Sequence, residues 1–290
     1  EPSMGIGNFF GMLPDSMASS RLYGVELDSI TGRIAQKLYP QADITVAGFE
    51  TTDRRDFYDL AVGNVPFGQY KVSDKAYNKL GFSIHNYFFA KTVIAFVTSR
   101  FTMDSKDSTA RKYMAERADL LGAIRLPDNA FKANAGTEVV SDIIFLQKRD
   151  RPADIEPAWV QLGQTEDGFS INQYFVSNPE MVLGNLELES TQYGHDLTVA
   201  PIEGANLADQ LTEAVQHIEG QYTAVEISTP DVADAEAQRR TLPADPTVKN
   251  FSYTVVDGEI YYRENSIMTQ IELSDNAKGR VAGMVELRQI

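Results

Sequence analysis

The chain has 290 residues, 43% of them hydrophobic and 10% aromatic, a composition that builds a packed core rather than a disordered segment. It has no cysteine and only three histidines (His85, His195 and His217), without metal-ligand spacing, which excludes disulfide frameworks, thiolate chemistry and a histidine-rich zinc site. Against 26 Lys and Arg stand 41 Asp and Glu, and this net charge of −15 argues against a generic basic nucleic-acid binder. The excess is uneven. Residues 1–150 carry 18 groups of each sign, whereas residues 151–290 carry 8 basic and 23 acidic ones.

In chain order, the first 150 residues alternate short apolar runs with helical stretches. Residues 21–26 read as a strand, 29–38 as a helix stopped by Tyr39-Pro40, 43–47 and 57–62 as further strands. Residues 84–91 have helical spacing and are followed at once by the β-branched run 92–98. Residues 108–121 read as a helix, and 121–126 and 139–147 as buried strands. This alternation predicts a parallel-rich α/β sheet with helices on both faces over residues 1–150. One junction is short: between Ala90-Lys91 and Thr92-Val93 no loop returns the chain to the sheet, so either the helix is stunted or residues are missing there.

Residues 151–290 form an acidic α+β extension in this reading. Residues 151–223 mix short strands with one helix over 207–218, and the Ala-, Asp-, Glu-, Thr- and Pro-rich stretch 224–246 reads as a linker or mobile loop. Residues 251–263 predict a hairpin, because Asp257-Gly258 supplies the positive φ angles of a type I′ turn. No apolar run approaches the ~18 residues of a membrane span. With no initiator Met and no signal peptide, the chain is expected to be a cytoplasmic piece of a longer polypeptide.

Two motifs carry chemistry. In Glu1-Pro2-Ser3-Met4-Gly5-Ile6-Gly7 two glycines let the backbone turn sharply and approach a ligand, and nineteen residues on, Glu26 ends a strand at a spacing suited to a ribose diol. A nucleotide dehydrogenase fits nearly as well, but the third glycine of that fingerprint would fall at Phe10, which disfavours a dinucleotide. The second motif is Asn64-Val65-Pro66-Phe67 after an apolar run, a polar side chain delivered by a proline-stiffened turn beside an aromatic ring.

Together with EPSMGIG, the segments GFETTDRRDFYDLAVGNVPFG and LPDNAFKANAGTEVVSDIIFLQKR resemble the adenine-N6 DNA methyltransferases of the Asn-Pro-Pro-Phe type. More narrowly, they resemble methyltransferase-like regions of very large mobile-element proteins joined to helicases. The resemblance covers residues 1–150 well and the rest weakly. It implies a Rossmann-like methyltransferase sheet and S-adenosylmethionine as cofactor. It also implies DNA as substrate and partner, beside other domains of a larger polypeptide, a helicase among them.

An exocyclic amine is a poor nucleophile because its lone pair is delocalised into the ring, and acceptors for its two N–H groups favour a reactive, pyramidal geometry. By the resemblance these acceptors are the Asn64 side chain and the Val65 carbonyl, with Pro66 shaping the turn and Phe67 stacking on the target base. The resemblance also implies that Glu1, Pro2, Gly5 and Gly7 surround the methionine moiety of the cofactor, that Glu26 holds its ribose, and that Phe49 and Glu50 lie at its adenine. Gly48 aligns with the family acid as well as Glu50 does.

Phe131 flanks a flipped base or is a core residue, and Arg100 faces a phosphate or is a surface arginine. Lys71, Lys75 and Lys79 line a nucleic-acid path or a solvated loop, and His85 reads as structural. Val65 departs from the family, which has proline there, and loses that loop's rigidity. The alternative function is therefore a catalytically weak or inactive methyltransferase-like scaffold of a larger DNA-processing protein.

Overall fold

A computed structural model describes residues 1–220 and 241–287, apart from residues 55, 56, 69, 93, 94, 150, 192, 193, 265, 272 and 274. The chain divides into two compact units, one made of Glu1–Thr51 and Leu60–Gln221, the other of Thr52–Asp59 and Tyr222–Ile290. The division does not fall at residue 150: residues up to 221 group with the first unit.

The first unit opens with residues 1–7 and the short helix α1 (Asn8–Gly11), then β1 (Tyr23–Glu26), α2 (Ser29–Leu38) and β2 (Asp43–Val46). Helix α2 begins where the Asp28 side chain accepts the Thr31 N–H at 2.8 Å, buries Gly32 and Ala35, and stops before Pro40. Strands β1 and β2 are parallel, with Tyr23 opposite Asp43 and Glu26 opposite Val46. On the other side of β1 lie residues 1–4: Val25 N–H donates to the Glu1 carbonyl at 2.9 Å and Met4 N–H to the Val25 carbonyl at 3.0 Å.

The next elements are β3 (Val62–Asn64), α3 (Ile84–Lys91), β4 (Ala95–Ser99), α4 (Phe101–Asp104), α5 (Thr109–Arg117), β5 (Ala118–Arg125), α6 (Lys132–Ala135) and β6 (Ser141–Lys148). Their sheet has the order β3-β4-β6-β5. Strands β3 and β4 are parallel, whereas β6 is antiparallel to both of its neighbours. The fold is thus mixed α/β, and this sheet is less parallel than the alternation predicts. The reason lies between Arg125 and Ser141, where the short α6 and a 3-10 turn are no crossover helix, so the chain returns beside β5 in the opposite direction.

Helix α5 also ends earlier than its spacing predicts. Strand β5 begins at Ala118, with Asp119 opposite Gln147 in the β5·β6 ladder and ion-paired to Arg149. Helix α3 is short, eight residues, and buried nearly all round through Ile84, His85, Tyr87, Phe88, Phe89 and Ala90. Phe89 packs edge-on against Phe96 of β4, the two ring centroids 5.3 Å apart, at the centre of the core.

Residues 151–220 complete this unit with β7 (Leu162–Gln164), β8 (Ser170–Asn172), α7 (Gln173–Ser177), β9 (Asn185–Thr191), β10 (Gly194–Ala200) and α8 (Leu207–Val215). Trp159, Val160, Ile171 and Phe175 from this region join the same core. Asn172 is fully buried and donates to the carbonyls of Met103 and Trp159, each at 2.8 Å.

The second unit holds an antiparallel sheet of β11 (Thr241–Pro243), β12 (Ser252–Val256), β13 (Glu259–Glu264) and β14 (Ile267–Gln270) in the order β11-β14-β13-β12, with α9 (Asp275–Leu287). Asp257 (φ 49°) and Gly258 (φ 81°) join β12 to β13 with the two left-handed residues that a type I′ turn requires. Of the stretch 224–246, residues 224–240 lie outside the described residues, and Thr241–Pro243 is a strand rather than a loop.

Candidate active site

Residues 1–7 bring the two sequence motifs together. Ser3 Oγ donates to the Asn64 backbone carbonyl at 2.8 Å, and a Cβ at Gly63 of β3 would meet Pro2 at 3.5 Å and Glu1 at 3.7 Å. Residues 1–4 therefore lie between β1 and β3, and the glycine loop and the Asn64–Phe67 loop share one edge, at the carboxyl ends of the strands. In α/β sheets that edge is where ligands bind.

Gly5 and Gly7 have φ angles of 55° and 88°. A Cβ at Gly7 would collide with the Tyr39 ring at 2.5 Å, and the Tyr39 hydroxyl donates to the Gly7 carbonyl at 2.8 Å, so the loop rests directly on this ring. At Gly5 nothing lies within 4 Å of such a Cβ, leaving open space in front of the backbone. Glu26 ends β1 with its carboxylate accepting the Gly5 N–H at 2.7 Å and the Asp28 N–H at 2.8 Å, and each oxygen keeps a further lone pair.

Glu1 is half-buried, and its Oε2 has no hydrogen-bond partner among the described residues. Burial pushes its carboxyl up to about 7, and the nearby Glu26 charge adds to this.

The loop after β3 divides its side chains. Asn64 is exposed, Val65 is 1% exposed within the core, and Phe67 is 37% exposed. Val65 N–H donates to the Val97 carbonyl at 3.0 Å, extending the β3·β4 ladder one residue beyond Asn64. Proline has no N–H to make this bond.

The other candidate residues have varied surroundings. Phe49 is 9% exposed, packed against Phe88 (centroids 4.8 Å apart) and Tyr87, with its carbonyl accepting Lys91 Nζ at 2.8 Å. Glu50 is exposed and folds over Gly48. Arg100 is buried rather than a surface arginine: its guanidinium pairs with Asp196 and with Asp104 and lies 4.3 Å from the Phe101 ring centre. Phe131 packs against the core beside a turn pinned by Asp128, which accepts from Thr198 Oγ1 at 2.9 Å. Lys71, Lys75 and Lys79 are exposed, and His85 is buried with Ser83 Oγ 2.9 Å from its Nε2.

Two buried polar networks escaped the sequence reading. Arg125 lies opposite Asp142 in the β5·β6 register and grips it with Nε at 2.8 Å and Nη2 at 2.9 Å, while Nη1 reaches Asp104 at 2.6 Å. Burial opposes the charge on Arg125, yet the two carboxylates hold its pKa above the ordinary arginine value. An arginine and an aspartate bordering the apolar runs of β5 and β6 were the available signal. The second network joins Lys91, Asp74 and Tyr87. Burial pushes Asp74 up, and hydrogen bonds from Tyr87 and Lys91 more than offset this, holding it below the usual range. Among the described residues no cluster of three or more His, Asp or Glu is arranged to hold a metal, and no helix is long and apolar enough to cross a membrane.

No known family model matches the chain. It is 30% identical over 170 residues, 53% of its length, to Defense against restriction protein B of Escherichia phage P1, of which the match spans 7%. Among solved structures it resembles a modification subunit assigned to a type I restriction enzyme from Vibrio vulnificus YJ016. There the TM-score is 0.39 at 15% identity, covering 71% of this chain and 54% of that one. A second similar chain comes from a structural study of complex assembly and conformational transition in a type I restriction-modification system, with TM-score 0.39, 10% identity, and 82% and 57% covered. The chain thus spans a small fraction of the curated relative and little more than half of each solved chain.

Proposed function

We propose that the first unit is a DNA methyltransferase domain that transfers a methyl group from S-adenosylmethionine to the N6 amine of adenine. The observation that carries this reading is the Ser3–Asn64 contact, which sets the glycine loop and the Asn-Val-Pro-Phe loop on one edge of the sheet. The strand sequence β2-β1, then residues 1–4, then β3-β4, supports a Rossmann-like arrangement whose switch point falls between β1 and β3. The match to a protein named for defence against restriction supports a DNA-directed role.

The residues fit the cofactor. The open space before Gly5 admits a ligand against the backbone, Glu26 has lone pairs for a ribose diol, and the unpartnered Glu1 oxygen suits an ammonium. S-adenosylmethionine, when bound, supplies an electrophilic methyl group on a sulfonium centre. Asn64, exposed at the end of β3, accepts one N–H of the target amine with its side-chain oxygen, and the Val65 carbonyl accepts the other. Phe67 offers the stacking face that an unstacked base needs. Phe131, beside the pinned Asp128 turn, is the second aromatic of this base site.

Val65 is compatible with activity, since its N–H bond to Val97 and its buried side chain hold the turn where a proline ring would otherwise stiffen it. The second reading, a scaffold without catalysis, is favoured by the same departure at Val65. Calorimetry with S-adenosylmethionine separates the two: Glu26→Ala is expected to weaken binding at least tenfold, about 1.4 kcal/mol, and Asn64→Ala to leave it unchanged. No binding by the unaltered chain contradicts the enzyme reading.

A further inference from the structure

Lys91 ends α3, and its ammonium meets Phe49, Asp74 and Tyr87 among the described residues. Nζ donates to the Phe49 carbonyl at 2.8 Å, to Asp74 Oδ2 at 3.1 Å and to the Tyr87 hydroxyl oxygen at 3.2 Å, and it stands 4.8 Å from the centre of the Phe49 ring. The Tyr87 hydroxyl donates in turn to Asp74 Oδ2 at 2.8 Å. Asp74 also organises its own turn, its Oδ1 accepting the Ala76 N–H at 3.0 Å and its N–H donating to Asn78 Oδ1 at 2.8 Å. The side chains of Lys91 and Asp74 are only 9% and 12% exposed.

A buried ion pair is a poor device for stability, because desolvating two charges offsets most of their attraction and apolar replacements often do as well. What this pair does is mechanical. It ties the loop at Phe49 and Glu50, which follows β2, to the segment 70–81, which follows the Asn64–Phe67 loop and carries the exposed lysines Lys71, Lys75 and Lys79. Phe49 is held from both sides, its carbonyl by the ammonium and its ring by the cation and by Phe88.

We infer that Lys91 is a positioning residue that couples the two ligands: through Phe49 and Asp74 it links occupancy of the cofactor-adenine loop to the placement of the lysine-bearing segment against the DNA backbone. This rests on the methyltransferase reading above. An ordered Phe49 loop fixes the ammonium, the ammonium fixes Asp74, and Asp74 fixes the turn that presents the lysines. By linkage the effect is reciprocal, so DNA tightens cofactor binding by the same factor that cofactor tightens DNA binding.

The test measures the dissociation constant of S-adenosylhomocysteine on the full chain with and without a random-sequence pool of adenine-containing oligonucleotides, single- and double-stranded. The unaltered protein is expected to bind at least about fivefold tighter with DNA present, and Lys91→Met to bring that ratio within about twofold of one. Lys91→Arg, which keeps a cation within reach of Asp74, retains coupling. Asp74→Asn reproduces the loss and carries the comparison if Lys91→Met does not fold. A merely structural lysine would lower the melting temperature or both affinities in Lys91→Met while leaving the ratio intact, and that result overturns the inference. So does an unaltered chain that transfers methyl groups but shows no coupling. If the unaltered chain neither binds the homocysteine product nor transfers methyl groups, the methyltransferase reading falls, and this inference with it.

Discussion

At Val65 one backbone N–H decides what a substitution does. It donates to the Val97 carbonyl at 3.0 Å beside a fully packed side chain. Replacing Val65 by proline, the residue at this place in the methyltransferases the loop resembles, is therefore expected to impair the protein: the Val97 carbonyl loses its partner, at a cost of about 1–3 kcal/mol, and under the proposed function methyl transfer falls with it. Denaturant unfolding and an activity assay check this, and a more active, equally stable variant would contradict it.

Glu1 predicts a pH dependence. Its folded pKa of about 7 lies above the ordinary value, so the folded chain binds more protons than the unfolded one between about pH 4.5 and 7, and this group's contribution to stability declines as pH rises through that window. The ionised carboxylate is the form that attracts an ammonium, so S-adenosylmethionine affinity is expected to rise between about pH 6 and pH 8. Glu1→Gln should flatten the calorimetric profile, and an unchanged slope in that variant would remove Glu1 from the site.

Among elements, β5 and β6 are held where β5 ends and β6 begins by buried Arg125 with Asp142 and Asp104. Arg125→Met leaves the Asp142 carboxylate buried without its ion-pair partner and Asp104 with only the longer contact to Arg100, and a destabilisation of about 3–5 kcal/mol is expected by chemical unfolding. A loss below about 1 kcal/mol would mean that the site relaxes to admit water. The order of the elements was legible because their periods and punctuation are local: the Asp28 cap, the Tyr39-Pro40 stop and the Asp257-Gly258 turn each act within a few residues. The direction of β6 was less so, since it depends on the lack of a crossover helix between Arg125 and Ser141 rather than on any residue within the strand. The burial of Arg100 is illegible in the sequence for a similar reason. Its partner Asp196 is 96 residues away, and no spacing rule reaches that far. The two loops of the candidate site could be read singly, but the Ser3–Asn64 contact that joins them could not.

For the whole molecule, charge and fold separate differently. The acidic excess belongs to residues 151–290, yet residues 151–220 pack into the same core as the motifs, so acidity is no mark of a separate domain. With residues 1–150 neutral, DNA binding should lean on few phosphates. Replacing Lys71, Lys75 and Lys79 together by alanine is expected to reduce the salt slope of duplex binding by about 2–3. A slope unchanged by the triple substitution would take the 70–81 segment off the DNA.

The central claim is that Asn64 aligns an adenine amine for methylation. Transfer of a tritiated methyl group from S-adenosylmethionine to DNA, compared between the unaltered chain and Asn64→Ala at equal cofactor occupancy, tests it most directly. The account predicts label on the N6 position of adenine and a loss of about 100-fold or more in the variant. Undiminished transfer by Asn64→Ala, or no transfer by an unaltered chain that binds the cofactor, would contradict it.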